Sequence, residues 1–492
     1  MIGVSATVRD VATLLGDPLG AALTDIPVTD VTHDSRDVRP GSVFVAIRGS
    51  SHDGHDHIDA AVAAGAVAVM GDHAVGAGIP EFVVPDPRAA MAFVARLVHN
   101  NPDADLSIVG VTGTNGKTTV AHLCEAVWTF AGVRCGIVGT LGARYGGTPV
   151  PLSRTTPESS DLQRLLGTMR DAGVTSVAME VSSHALALHR ADAITFAAVG
   201  FTNLTQDHLD FHGDMDAYLA AKVSLFEPSR ADVAVINVDS PAGRHVAEVT
   251  DLPVIRVGSS LDAVISASDV WTTPTGSEFI LHTPGGDSAV SFPLTGTFNI
   301  DNALVAAGLL LETGLDVETV AVGLSRISPV AGRMEVIVHE GPFTVIVDYA
   351  HTPDAIATVL SAVRATTDGR VIAIVGAGGD RDRAKRRPMG IAAARHADLV
   401  VVTTDNPRSE DPASIASDVA AGASEMSSAH VTTILDRRDA IEHAIEVALP
   451  GDVIMILGKG HEPGQEIAGV VAPFDDRRVA RAALTESGWT VT

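Results

Sequence analysis

Two patterns meet between residues 108 and 127. Ile108-Val109-Gly110-Val111 is a short apolar run of the kind a buried strand makes, and Val120-Ala121-His122-Leu123-Cys124-Glu125-Ala126-Val127 has helical spacing. Between them lies Thr112-Gly113-Thr114-Asn115-Gly116-Lys117-Thr118-Thr119. A strand that turns through glycines into a helix opening on Lys-Thr is an arrangement that cradles a polyphosphate. Backbone N–H groups line the loop, the helix N-terminus adds positive potential, Lys117 reaches the terminal phosphates and the Thr118 hydroxyl can hold Mg²⁺. The fit to G-x-x-x-x-G-K-[ST] is incomplete, because Val111 stands at the first glycine position and glycines fall at 110 and 113 instead. The competing reading is an ordinary strand-to-helix turn.

The chain has 492 residues, too many for one core, so two to four domains are expected. A formal charge of −26 argues against a nucleic-acid surface, and an anionic nucleotide would need a local cation such as Lys117. The two cysteines, Cys124 and Cys135, make no disulfide framework and suggest a reducing compartment. The N-terminus lacks the basic start and apolar core of a signal peptide, and no apolar run reaches membrane-spanning length. A cytoplasmic protein with no membrane partner is therefore expected.

Residues 1–105 alternate short helical and strand patterns. Thr7 is placed to cap a helix ending at Leu15, Gly41–Ile47 and Ala66–Met70 read as strands, and Asn100-Asn101-Pro102-Asp103 ends the next helix. Residues 106–330 read as an open, mostly parallel α/β sheet, with strands at Ser176–Glu180, Phe196–Gly200 and Val233–Val238. Residues 254–295 look antiparallel, and Asn299–Thr313 reads as an amphipathic helix stopped by Gly314. After Ser328–Gly332 the alternation restarts through 331–492, with strands at Thr344–Asp348, Val371–Val375, Leu399–Thr403 and Val453–Leu457. This third unit is of Rossmann-like type, but Gly376-Ala377-Gly378-Gly379 is not a complete dinucleotide fingerprint. The fold class is α/β in three domains, the central one a phosphate-loop ATPase.

Ligands of open α/β sheets sit at the carboxyl ends of strands, and six polar clusters fall there. They are Glu180–His184, Asn203–Gly213, Asp348–Asp354, Gly378–Arg387, Asp405–Arg408 and Gly458–Glu462. One cluster would be a polar loop. Two of them downstream of a phosphate loop point to Mg²⁺-nucleotide chemistry, in which carboxylates hold the metal. The cations of 381–387 suggest a site for an anion or carboxylate in an otherwise acidic chain.

With Thr155-Thr156-Pro157, Gly296-Thr297-Phe298-Asn299 and Gly332-Arg333-Met334-Glu335, these motifs follow one another in an order that resembles the Mur ligases of peptidoglycan synthesis, and their diaminopimelate-adding branch in particular. The resemblance implies a UDP-sugar-binding domain, an ATPase and an amino-acid-binding domain. It implies ATP-dependent amide formation in which the D-glutamate γ-carboxylate of UDP-MurNAc-L-Ala-D-Glu is phosphorylated and then attacked by the amine of meso-diaminopimelate. A monomer is expected.

Carried over residue by residue, Gly113, Thr114, Asn115, Gly116, Lys117, Thr118 and Thr119 hold ATP together with Asn299, Arg333 and His351. Thr118 and Glu180 hold one Mg²⁺; His208 and Lys222 point to a second. A lysine in a helix is ordinarily solvated; only the family match suggests that Lys222 carries a CO₂-derived carbamate. Ser35 matches the uridine contact, and Thr155, Thr156, Ser182 and Arg190 match the muramoyl-peptide contacts. Leu188 stands where some relatives have glutamine. Arg386, Gly458 and Glu462 match amino-acid contacts beside Asp405-Asn406-Pro407-Arg408, in which Arg408 meets the second carboxylate that distinguishes diaminopimelate from lysine. The alternatives are a lysine-adding ligase, a folylpolyglutamate synthase, or a nucleotide-regulated binding protein that never completes catalysis.

Overall fold

The computed structural model describes residues 6–17, 25–49 and 52–491, whose strands form three large helix-flanked sheets in chain order, with a three-stranded meander and two two-stranded pairs beside them. The first has four parallel strands, Asp30–Thr32, Ser42–Val45, Ala68–Gly71 and Glu81–Val83. Helix Val8–Leu14 opens with a reciprocal capping box between Thr7 and Asp10. Helix Pro87–Val98 starts on an Asp86 cap with proline in its first turn. It stops where Asn100 and Asn101 enter the left-handed region, at φ 60° and 45°; asparagine tolerates that conformation better than most residues.

The central sheet has eight strands. Six are parallel, in the order Cys135–Gly139, Ser176–Glu180, Ser107–Thr112, Ala198–Phe201, Ala234–Asn237 and Val254–Val257. The antiparallel strands Gly142–Tyr145 and Thr148–Val150 finish one edge. The inner strands are buried on both faces, which is why they read as continuous apolar runs rather than alternating ones.

Two expectations change here. Val254–Val257 is the parallel edge strand of this sheet, and the antiparallel meander begins only at Ser266–Thr273, continuing through Gly276–Thr283 and Gly286–Phe292. The helix Thr297–Glu312 is not amphipathic but buried on nearly every side. It lies between the phosphate-loop helix Lys117–Phe130, the central sheet and the meander. Ala303, Ala306, Ala307 and Gly308 permit that approach: a Cβ on Gly308 would come within 2.6 Å of Val235.

The third sheet runs Glu335–Ile337, Thr344–Asp348, Val453–Leu457, Val371–Val375, Leu399–Val402 and His430–Thr433, with all but the first strand parallel. Separate apolar cores cover its two faces. Within one of them Arg437 and Asp476 form a pair with both side chains fully buried, the two bonds being 2.7 Å long. Arg437 also donates to the Leu457 carbonyl at 2.8 Å, fixing the end of the central strand just before Gly458. Asp476→Ala leaves a buried guanidinium without its carboxylate and should cost about 3–5 kcal/mol. Chemical denaturation followed at the C-terminal unit checks this; the double change Arg437→Met with Asp476→Leu should recover most of the loss, and a neutral single variant would contradict the assignment.

Candidate functional site

The phosphate loop follows Thr112, where the buried strand ends. Gly113 and Gly116 have φ of 147° and 91°, and a Cβ at either would strike Thr202 or Asn302 at 1.9 and 2.2 Å. These two glycines shape the loop. Val111 is a fully buried strand residue, so the incomplete motif reflects a loop that begins later, not one that is missing. Lys117 crosses back over the loop and donates to the Gly113 and Thr114 carbonyls at 2.8 Å each. Burial holds its ammonium below the usual lysine range, with Glu180 and Asp207 opposing the shift.

The carboxyl ends of the neighbouring strands supply the rest. Glu180, fully buried, accepts from the Thr118 hydroxyl at 2.9 Å, the Thr140 N–H at 2.7 Å and the Thr140 hydroxyl at 3.0 Å. Gly139 makes room for it, since a Cβ there would meet Glu180 Oε1 at 2.2 Å. Lys222 is 1% exposed on helix Met215–Val223; its Nζ donates to the same Gly113 carbonyl at 2.8 Å and sits 4.3 Å from the centre of the Tyr218 ring. Burial, reinforced by Lys117, drives its ammonium well below the ordinary lysine value.

His208 adopts φ 54° at the start of the short helix Leu209–His212, with Nε2 3.4 Å from Asp207 and its ring edge-on to His184. Burial and the two lysines favour the neutral imidazole, against Asp207. From the C-terminal unit, Arg333 reaches Thr118 Oγ1 at 3.2 Å while lying over the Tyr349 ring at 4.5 Å. Asp348 accepts from the Met334 and Ala350 N–H groups at 2.8 Å and so shapes that turn, while burial pushes its carboxyl up against the pull of Arg333. His351 bonds the Tyr349 carbonyl at 2.9 Å, and burial lowers its pKa.

These groups enclose a cavity of about 390 Å³ that takes in residues 114–119 with Thr155, Glu180, Ser182, His208, Lys222, Asn299, Arg333 and His351. Asn299 is held there by its bond to the Thr295 carbonyl at 2.8 Å. A second cavity, of about 780 Å³, is lined by Asp405, Asn406, Arg408, Gly458 and Glu462, and by the cations Arg381 and Lys385. Asp207, His208, Tyr349 and His351 line both cavities, so the two adjoin. Asn406 organises the second: its amide donates to Glu462 at 2.8 Å, and its oxygen accepts from Lys459 at 3.1 Å and the Glu466 N–H at 3.0 Å. Arg408 has φ 51° and donates to the Gly379 carbonyl at 2.6 Å; Glu466, its carboxylate neighbour, stands off at 3.7 Å.

Other residues singled out in the sequence lie off both walls. Arg386 is 2% exposed and engaged by Glu410 at 2.8 Å and Asp418 at 3.3 Å, so its guanidinium is occupied by the protein's own carboxylates. Arg190 bonds Glu158 at 3.1 Å and the Thr156 carbonyl at 3.3 Å; Thr156 Oγ1 donates to the Glu180 carbonyl at 2.9 Å. Pro407 is part of the turn that Gly379 packs against, where a Cβ would come within 1.9 Å of its carbonyl. Ser35 sits in a turn of the N-terminal unit between Asp34 and Arg36, which pair with each other.

Sequence reasoning passed over Glu158, Thr140, Asp207 and Tyr349 as site residues. Glu158, 4% exposed, gathers Arg88 from the N-terminal unit, Arg154 and Arg190. Its position one residue beyond Thr-Thr-Pro was the available signal, and Asp207 and Tyr349 stood inside blocks already marked. Nothing in the sequence marked Thr140.

Residues 27–99, 111–310 and 332–460 match the family models described as Mur ligase family, catalytic domain; Mur ligase middle domain; and Mur ligase, glutamate ligase domain. A UDP-N-acetylmuramoyl-L-alanyl-D-glutamate–2,6-diaminopimelate ligase of Streptomyces coelicolor is 44% identical over 486 residues, 96% of each chain. The ligase of the same description from Geobacillus thermodenitrificans is 45% identical over 460 residues, 92% of this chain and 94% of its own. A solved structure of that description superposes with a TM-score of 0.70 at 33% identity, covering 94% of this chain and 96% of the other. With its three sheets in order and a phosphate loop facing an arginine-bearing second cavity, the chain belongs to the Mur ligase family.

Proposed function

We propose that the chain is the ATP-dependent ligase that joins meso-diaminopimelate to the D-glutamate γ-carboxylate of UDP-MurNAc-L-Ala-D-Glu in peptidoglycan synthesis. The observation that carries this reading is the adjoining of a polyphosphate cavity and an Arg408 cavity across the shared wall of Asp207, His208, Tyr349 and His351.

A carboxylate is a poor acylating agent, and phosphoryl transfer from ATP gives it a leaving group. That step brings two anions together. Lys117, Arg333 and the helix N-terminus supply fixed positive potential where the charge gathers. Thr155 and Ser182, on the wall of the first cavity, present hydroxyls to the peptide. The incoming ammonium must lose a proton before it attacks the acyl phosphate, and the shared wall offers the Asp207 carboxylate and two neutral imidazoles as acceptors.

Thr118 Oγ1 and Glu180 Oε2, 2.9 Å apart, are hard oxygen donors suited to Mg²⁺. Mg²⁺ held there would screen the phosphates from the carboxylate. His208 and Lys222 as they stand offer nitrogen, a weaker match to a hard ion. Lys222 becomes an oxygen donor on carbamylation: the neutral amine adds to CO₂, a C–N bond forms and one proton leaves. Burial and Lys117 favour that neutral amine, and one N–H remains to bond the Gly113 carbonyl. Lys222→Ala should lower kcat by about 10²–10³-fold, the scale of losing one preorganised charge-stabilising group, and short carboxylic acids should restore part of it. Absence of rescue, with activity indifferent to bicarbonate removal, would eliminate the carbamate.

In the second cavity, Arg408 is poised for a carboxylate that lysine lacks, and Glu462 for an ammonium. A lysine-adding activity is the alternative, and diaminopimelate, lysine and ornithine assayed in parallel decide between them. Arg408→Ala should reduce kcat/KM for diaminopimelate by about 30–1,000-fold, the equivalent of roughly 2–4 kcal/mol, chiefly through KM. An unchanged KM rejects the role of Arg408. Phosphate release without either co-substrate would instead indicate a nucleotide-driven switch.

A further inference from the structure

The N-terminal unit carries a polar cluster that touches neither cavity. Strands Ser42–Val45 and Ala68–Gly71 are parallel neighbours, with Val45 opposite Met70, so the residues after each emerge at the carboxyl edge of the sheet. Arg48 and Asp53 pair as an antiparallel bridge on the first side, and Asp72 and His73 follow on the second. Asp53 caps the turn Gly54–His57, accepting from the His55 N–H at 3.0 Å.

The His55 side chain is only 7% exposed, and its two nitrogens have different fates. Nδ1 is bonded to Asp53 Oδ1 at 2.7 Å. Nε2 is enclosed by protein, has no hydrogen-bond partner, and faces Asp72 Oδ1 at 3.3 Å. Gly71 leaves the space in front of it; a Cβ there would be 2.7 Å from Nε2. The His73 ring stacks on His55 with centroids 4.2 Å apart, and its Nδ1 reaches the same Asp72 oxygen at 2.5 Å. Arg48 takes the outer oxygens, Asp53 Oδ2 at 3.1 Å and Asp72 Oδ2 at 4.0 Å, leaving both inner ones toward His55.

Other histidines here, such as His99, also leave one buried ring nitrogen without a hydrogen bond, but among the described residues His55 alone of them lies in a group of three side chains whose donor atoms converge. An imidazole tied to a carboxylate through Nδ1, with Nε2 turned toward a second carboxylate without a hydrogen bond to it, has the orientation of a metal ligand. One ligand atom from each of His55, Asp72 and His73 lies within 4.8 Å of the others. Two ligands of a tetrahedral ion at about 2.0–2.1 Å stand about 3.3 Å apart, which is the spacing of Nε2 and Oδ1. The Asp72–His73 contact is shorter and would open on binding. Two nitrogens and one oxygen, with a fourth position toward solvent, suit a borderline ion such as Zn²⁺ and not Mg²⁺.

We propose that His55, Asp72 and His73 form a site for a divalent transition ion of the Zn²⁺ class, oriented by Asp53. The ion ties the turn after one strand to the end of the next at the carboxyl edge of the N-terminal sheet.

The test strips full-length protein with a chelator and titrates it with Zn²⁺ alone against a chromophoric competitor, with Co²⁺ absorption reporting the geometry. Wild type should bind one ion per chain that His73→Ala and His55→Gln bind at least about 100-fold more weakly, and Asp53→Asn should weaken it about 10–100-fold. Zn²⁺ should raise the Tm of wild type and not that of His73→Ala. Because His73 is half exposed, its removal decides the matter even if the His55 variant does not fold. Equal uptake by wild type and His73→Ala would place the ion elsewhere, for instance on the His184–His208–His212 group, and would overturn the proposal. So would the absence of stoichiometric uptake.

Discussion

Two lysine ammonium groups converge on one carbonyl oxygen. Lys117 and Lys222 each donate to Gly113 at 2.8 Å; Lys222 is buried and Lys117 partly so. Two cations this close in a low-dielectric setting repel by several kcal/mol at an effective dielectric near 20. The surroundings relieve that in two ways. Glu180 and Asp207 supply opposite charge, and burial moves both lysines toward the neutral amine. What is left is a strong local demand for anions at the mouth of the loop, in a chain whose formal charge is −26. A polyphosphate meets that demand, and so would a carboxylate formed on Lys222 itself.

The backbone makes this convergence possible. Parallel strands deliver their carboxyl ends to one edge, so Thr112, Glu180 and Phe201 finish side by side although they are far apart in sequence. Glycine sits where a side chain would block the approach: Gly113 against Thr202, Gly116 against Asn302 and Gly139 against Glu180. The C-terminal sheet repeats the device, with Asp348 closing its strand, Thr403 and Gly458 just past the ends of theirs, and Gly458 pressed against Asp405.

Much of this was legible because each signal is local. A capping box at Thr7, apolar runs for two-faced strands and a glycine turn before Lys-Thr are written in adjacent residues. The helix Thr297–Glu312 departs from its amphipathic pattern because its polar positions, Asn299, Asn302 and Asp301, suggest a wet face, whereas the two asparagines turn inward to the first cavity. Strand Val254–Val257 is parallel and not antiparallel because its direction is set by a neighbour in space, Ala234–Asn237. Arg386 shows what a motif leaves open. The family resemblance matches it to a carboxylate contact, and in this structure its guanidinium meets Glu410 and Asp418. A motif specifies chemistry; which partner a side chain meets is decided by elements that come later in the chain.

The two joints between units differ in kind. The N-terminal unit is held to the central one by charged contacts that do not involve the phosphate loop itself: Arg88 to Glu158, Arg164 to Asp30, and Arg170 to the carbonyls of His99 and Asn100. The C-terminal unit reaches the central one through Arg333, whose partner is the hydroxyl of Thr118 in the loop itself. Thr118 in turn donates to Glu180. Any ligand that competes for the Thr118 hydroxyl, or adds negative charge beside it, therefore acts directly on the guanidinium that bridges two units. Arg333 also stacks on Tyr349, one of the residues on the wall shared with the Arg408 cavity, so the phosphate loop and the second cavity meet through a chain of direct contacts. Contact geometry sets what such a path can do: a ligand shifts the arrangement of the shared wall only as far as it interacts differently with the alternative positions of groups such as Tyr349.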